Sequence, residues 1–413
     1  MKPTIYLADP YNGGHHYRYL RMIEEAFEAL GCNVHVLCKS KDAFLKQAKG
    51  EGRPVEKTNP ISGSHVHSLS VADRKIRLPI GRFNILANRF LIWQQTFRRI
   101  KNIEKQTGEP ADLVFLPWLD GYIKNYYNNY QMNRYLPALL RGIVHRPWSG
   151  IYFHPRYLRL PAKYPMLKEG KSSISLSALY KKTGCRALFT LDEGIKDKLA
   201  ADIAPTNLYW LPDVLPDTQT DMSWKPLQKL KRKAEEQNRP IILLTGVLNR
   251  YKGVLEFYEL AERCRHKSWL FVVAGQLKKH SFEPSALEKI QQTNLPNVHT
   301  IFERIPTEQH INALLSLSSV IYCCYPRFTH SSSMQLRGAQ LGKKVIVVND
   351  HLMKERCQKL PGCHHFDNVE SISEAQLEAV LKSSLETEKS IRADFLQNFS
   401  FDHFTHQLGA CRT

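Results

Sequence analysis

The residues best placed to do chemistry stand in a few short loops. Lys252 and Arg250 belong to the run Gly246-Val247-Leu248-Asn249-Arg250-Tyr251-Lys252-Gly253, directly after the apolar stretch 241–245. Two cations at the start of a helix are what a diphosphate requires, because free backbone N–H groups and a partial positive charge already point there. The plainer reading of Lys252 is a surface lysine beside a turn glycine. Arg327 and His330 lead into Ser331, Ser332 and Ser333, small hydroxyls that cap a helix start, so this is a second anion-binding candidate. Asp120 and His154 follow the apolar runs 111–116 and 150–153. Each is a candidate general base or hydrogen-bond partner for an acceptor hydroxyl, or else a group that stabilises its own loop. Gly13 and Gly14, followed by His15, come after the run 4–8 and either turn the chain or let a substrate approach the backbone.

These loops need a scaffold of strands and helices, and the hydrophobic pattern supplies one. Residues 4–8 form an expected strand, 17–30 a helix with Leu20, Ile23, Phe27 and Leu30 on one face, and 34–38 the next strand. Further strands are expected at 187–190, 269–274, 297–302, 320–324 and 345–348, with helices at 307–317 and from Met334 to Leu341, which Gly342 ends. Strands alternate with helices through both halves, which is the pattern of parallel sheets covered on both faces. Candidate loops at the carboxyl ends of strands then open on one edge of each sheet. Leu86, Phe90, Trp93, Phe97 and Ile100 share a helix face with Arg82, Arg89, Arg98, Arg99 and Lys101 nearby, which fits either a core helix or a basic interfacial segment.

The chain has 413 residues, enough for two domains, and its 43% hydrophobic and 23% charged content is that of a globular protein. No apolar run is long enough for a membrane helix, and the start MKPTIYLADP lacks a signal-peptide core, so a cytoplasmic protein is expected, compatible with a peripheral place on the inner face of a membrane. Nine scattered cysteines without C-x2-C spacing fit reduced thiols. Cys357 with Cys363-His364-His365 is a metal-like grouping. It lacks a second closely spaced ligand pair, so no metal is expected. The net charge of +19 is uneven: residues 1–200 hold 32 Lys+Arg against 16 Asp+Glu, and residues 201–413 hold 26 against 23. An anionic partner for the first half follows, and an acidic membrane surface or an anionic acceptor both qualify. Nucleic acid is not expected, because no recognisable binding module or aromatic RNA-binding motif accompanies the charge.

The stretch YPRFTHSSSMQLRGAQLGKKVIVV, residues 325–348, resembles the donor-binding segment of family 4 glycosyltransferases (glycosyl transferases group 1). Leu336, Gly342, Lys343, Val345 and Ile346 fall on that pattern, while Thr329 and Arg337 stand where the family's E-x7-E glutamates stand. Lys252 matches the lysine of the family's G-R-L-x3-K-G loop, with Val247 in place of its arginine. The resemblance extends to the first βαβ, to Leu211-Pro212-Asp213 at the interdomain linker and to Phe399-Ser400-Phe401-Asp402 at the closing helix. It implies an α/β chain of GT-B architecture, two Rossmann-like parallel-sheet domains facing a cleft. The expected division is an acceptor-binding domain at 1–208, a linker at 209–239, a nucleotide-sugar domain at 240–390 and a crossing helix at 391–413.

The implied activity is transfer of a sugar from a nucleotide-sugar co-substrate to a glycan or lipid-linked acceptor in surface polysaccharide or glycolipid synthesis, with retention suspected and no metal cofactor. Lys252 and Arg250 would hold the diphosphate, and Glu303, Arg337 or His330 would contact sugar or ribose. The absent glutamates and the basic first half also fit a non-catalytic relative that binds an anionic glycan or a membrane as a scaffold.

Overall fold

In the computed structural model of the chain the described residues are 2–11, 16–50, 65–71, 81–123, 135–160, 179–203, 207–292, 294–326, 328–348, 351–384 and 389–411. The chain divides into two compact units, Met1–Pro212 with Phe401–Thr413, and Asp213–Ser400.

The first unit is built on one parallel sheet. Its strands are β1 (Thr4–Asp9), β2 (Asn33–Cys38), β3 (Val66–Ser68), β4 (Leu113–Leu116), β5 (Trp148–Ile151), β6 (Cys185–Thr190) and β7 (Leu208–Trp210), in the order β3-β2-β1-β4-β5-β6-β7. β1 and β4 are buried at every position rather than at alternate ones. That pattern requires cover on both faces, hence the crossover helices. Ile5 pairs with Val34 on one side and Leu113 on the other, so the winding reverses between β1 and β4. The carboxyl ends of these two strands are the place where such sheets bind ligands.

The helix Gly81–Thr107 is a core helix. Trp93, Phe97 and Ile100 are fully buried, and the Trp93 ring meets Trp148 at 5.1 Å and Tyr122 at 5.2 Å. Its apolar face is therefore committed to the unit's own interior and does not form an interfacial surface. The closing helix Phe401–Gly409 packs on the helix His16–Ala29 through buried Phe404 and Leu408.

The second unit carries β8 (Ile241–Thr245), β9 (Leu270–Ala274), β10 (Val298–Ile301), β11 (Val320–Cys323), β12 (Lys344–Val347) and β13 (Cys363–His365), all parallel, in the order β10-β9-β8-β11-β12-β13. The reversal here lies between β8 and β11, where Leu243 pairs with Ile321. The helix Ser333–Gln340 lies so close to β11 and β12 that a Cβ on Gly338 would stand 2.6 Å from Ile321 Cδ1 and 2.9 Å from Val345 Cγ2. Only glycine allows that approach.

Three edge strands, β3, β7 and β13, are three residues long and carry too little periodicity to be read from sequence. β7 begins the stretch expected as a linker, which also holds the helix Lys225–Glu236. Cys363-His364-His365 is β13. All nine cysteines are free thiols and eight are buried. Among the described residues no helix is long and apolar enough to cross a membrane.

Candidate functional site

In the second unit β8 delivers Gly246 and a loop that tightens into a single 3-10 turn, Arg250–Lys252. Asn249 caps the turn by accepting a hydrogen bond from the Tyr251 N–H at 2.9 Å. Gly253 then takes a left-handed conformation, φ 66°, and opens the helix Val254–Arg263. A Cβ there would meet the Cys324 carbonyl oxygen at 2.5 Å, so the loop after β8 and the loop after β11 touch through a glycine.

That contact brings Lys252 onto Tyr325. The ammonium lies 3.8 Å from the centroid of the fully buried Tyr325 ring and 5.9 Å from that of Phe328. Among the described residues no carboxylate lies within 4 Å of it. Burial pulls the ammonium down to about 8, against a smaller opposing effect of Cys323. A half-buried cation over an aromatic face, with no anion of its own, is electrostatically incomplete. A bound phosphate oxygen would complete it.

The neighbouring candidates divide. Arg250 is exposed, its guanidinium 4.7 Å above the Tyr251 ring and donating to the Tyr251 hydroxyl. Ser332 stands at the N-cap position of the helix Ser333–Gln340 without a side-chain capping bond and is buried beside Cys323 and Tyr325. His330 packs beside Phe328 at 5.7 Å, and Glu303 is exposed just beyond β10. Arg327 lies outside the described residues.

Two expected substrate contacts are engaged internally instead. Ser331 donates to Asp213 Oδ2 at 3.1 Å and accepts from the buried Arg356. Arg337 is only 2% exposed and donates to Glu308 Oε2 at 2.6 Å and to Asn312 Oδ1 at 2.5 Å. Asn312 in turn donates to the carbonyls of Asp217 and Gln219, so Arg337 fastens the segment 217–219 and the helix Glu308–Leu317 to the helix Ser333–Gln340. Removing one member of a buried ion pair leaves the other unsatisfied. Arg337→Ala is expected to cost about 3 kcal/mol, the low end for such a pair because Glu308 stays 35% exposed. Arg337→Glu, which sets two carboxylates face to face, should cost more; urea titration of both variants checks the order.

In the first unit the switch point holds a dyad that sequence reading passed over. Asp9, at the end of β1, is 1% exposed. One oxygen accepts from the Tyr11 N–H at 3.0 Å and the other lies 2.8 Å from His16 Nδ1. The carboxylate places the imidazole proton on Nδ1 and leaves Nε2 as acceptor, the arrangement of a general base. The ring is held from the side by Trp118 at 4.3 Å, which stacks on Phe153 at 4.1 Å. The signal in the sequence was the pair His15-His16 after an apolar run. The helix begins at His16, while Gly13, Gly14 and His15 lie outside the described residues.

Asp120 and His154 do come together, with His154 Nδ1 3.3 Å from Asp120 Oδ1. Both Asp120 oxygens also accept backbone N–H groups, from Phe153 at 2.7 Å and His154 at 2.9 Å. Asp120 therefore ties the loop after β4 to the loop after β5 and positions Trp118 and Phe153. Each of its oxygens already accepts a backbone hydrogen bond, whereas Nε2 of His16 is left as an acceptor, so His16 is the better placed base.

No family profile matches the sequence, and no curated protein matches it. Solved structures do. A glycosyltransferase from Rickettsia africae superposes with a TM-score of 0.61 at 15% identity over 99% of this chain and 98% of its own. The sucrose-phosphate synthase of Thermosynechococcus elongatus gives 0.63 at 12% identity over the same shares. Anabaena HepE in complex with UDP-glucose gives 0.59 at 10% identity, again over 99% and 98%. Two all-parallel sheets, each with its first strand beside its fourth, and full-length superposition on these enzymes give the chain the two-domain GT-B fold of glycosyltransferases.

Proposed function

We propose that the chain is a glycosyltransferase that moves a sugar from a nucleotide-sugar donor, held by the second unit, to a hydroxyl of a glycan or lipid-linked acceptor, held by the first. Its place would be in cell-surface polysaccharide or glycolipid synthesis, in the cytoplasm, on the inner face of a membrane whose anionic lipids attract the basic first half. One observation carries the donor half of the reading: Lys252 lies half-buried on Tyr325 with no carboxylate beside it among the described residues. As the glycosidic bond breaks, charge grows on the departing diphosphate, and a cation already desolvated stabilises it without reorganising. The start of the helix Ser333–Gln340 adds a partial positive charge, so the reading calls for no metal at the donor. Tyr251 and Phe302, 45% and 36% exposed at this edge of the sheet, offer ring faces for a nucleobase. HepE is seen with UDP and with UDP-glucose, which makes uridine nucleotides the first to try.

On the acceptor side His16 Nε2 takes the hydroxyl proton as the new bond forms, and Asp9 stabilises the imidazolium. Base-assisted single displacement inverts the anomeric carbon, whereas the family resemblance implies retention. The anomeric coupling constant of the product, measured by NMR, separates the two routes.

A scaffold that binds anionic glycan or membrane is the second reading, favoured by the internal use of Arg337 where the family has a ribose-binding glutamate. A thermal-shift screen of the full chain against nucleoside diphosphates and nucleotide sugars tests the choice. A rise in midpoint with one nucleotide supports the enzyme. No rise at millimolar nucleotide, together with salt-sensitive binding to anionic vesicles or glycan, would replace it with the scaffold.

A further inference from the structure

Away from the ligand edge of the first sheet, β2 and β3 bring three histidines together. His35 sits within β2, His67 within the short edge strand β3, and His65 just ahead of it. Glu109 reaches the group from the turn between the helix Gly81–Thr107 and β4. The His35 ring is fully buried and fixed on both faces, stacked on Tyr6 at 4.6 Å and on His67 at 5.5 Å, with His65 edge-on at 4.9 Å. His35 Nε2 lies 2.6 Å from Glu109 Oε2, and His35 Nδ1 lies 3.2 Å from His67 Nε2.

Ligand atoms of His35, His65 and Glu109 all lie within 4.8 Å of one another. His65 Nδ1 is buried and has no hydrogen-bond partner among the described residues. A buried imidazole nitrogen left without a partner is unfavourable unless something comes to it. Two imidazoles and a carboxylate are the donor set of a first-row divalent cation, zinc foremost.

We propose that His35, His65 and Glu109 form a structural zinc site that ties the edge strand β3 to β2 and to the turn before β4. Tetrahedral ligands bound at about 2.0–2.1 Å stand roughly 3.4 Å apart, so rotamer shifts of about 1 Å close the group. A water fills the fourth position. With Nε2 on the metal, His35 carries its proton on Nδ1 and donates it to His67 Nε2, which fixes the ring as outer partners of metal-bound histidines do. The edge strand is what the metal secures: β3 has three residues and pairs with β2 alone. The site is separate from the donor lysine and departs from the expectation of a chain without metal.

The test uses the full chain, first stripped with a chelator. Micromolar Zn2+ is expected to raise the thermal midpoint by several degrees, and Co2+ to give the visible absorption band of a four-coordinate site. His65→Ala removes both effects and lowers the metal-free midpoint only by the loss of its edge-on contact with His35, because among the described residues its Nδ1 has no hydrogen-bond partner. Glu109→Gln, isosteric and at a partly exposed position, removes them as well and carries the test alone if the alanine variant does not fold. A parent midpoint that Zn2+ does not move overturns the proposal. So does a shift that survives both substitutions, because the cation then binds elsewhere.

Discussion

Lys252→Met is expected to abolish stabilisation by nucleotide and to lower transfer by about 10²–10³, the usual loss when one charge-stabilising group is removed from a reacting centre. The same variant should be more stable than the parent in the absence of ligand. In the folded chain the ammonium titrates at about 8 rather than 10.5. A tenfold change in proton affinity corresponds to about 1.4 kcal/mol, so holding the charge there costs at most about 3 kcal/mol, less to the extent that water reaches the partly exposed side chain. The sign follows from linkage. A base whose folded pKa is depressed destabilises the fold fully below that pKa, and the penalty disappears as pH rises toward the unfolded value. The gain in the variant should therefore be largest at pH 7 and vanish near pH 10.5, as urea titration at several pH values would show. Binding by the parent has its own limb: a bound anion raises the lysine pKa, so affinity is level below pH 8 and falls up to about tenfold for each further pH step of one. A lysine with a merely structural role would destabilise on removal, which is the opposite result.

His16→Ala is expected to lower kcat by about 10²–10⁴ with the nucleotide-induced thermal shift intact, because the loss is of proton removal and not of donor binding. Asp9→Asn should fall nearly as far, since an amide no longer selects the Nδ1–H tautomer. Asp120→Asn separates positioning from chemistry. Its two oxygens hold the Phe153 and His154 N–H groups, so the change should reduce thermal stability and raise KM more than it lowers kcat. Transfer or donor hydrolysis, followed by nucleotide release, reads all three. An unchanged kcat in His16→Ala would remove the base from the mechanism.

The two halves of the site were unequally legible. Lys252 was visible because its setting is local: an apolar strand, a loop, a cation and a glycine occupy thirteen consecutive positions, 241–253. Tyr325, the ring beneath it, is 73 positions along the chain and stood out only as the first residue of another motif. The charge count pointed to the first half, whereas in the second unit packing leaves Lys252 half-buried on Tyr325 with no carboxylate within 4 Å among the described residues. Arg337 illustrates the reverse. Its place in the motif suggested a ligand contact, and its Cα does lie on the expected helix. The side chain instead reaches Glu308 and Asn312, 29 and 25 positions away.

Strand and helix order and the glycine stops follow from hydrophobic periodicity and turn chemistry, which act over a few neighbouring residues. For that reason the parallel α/β architecture was readable from the amino acids alone. Side-chain direction and long-range pairing decide which groups meet, and they depend on packing between segments far apart in the chain. Tertiary structure alone therefore chose His16 with Asp9 and Trp118, turned Asp120 into a clamp between loops, and gathered His35, His65 and Glu109 across 74 positions.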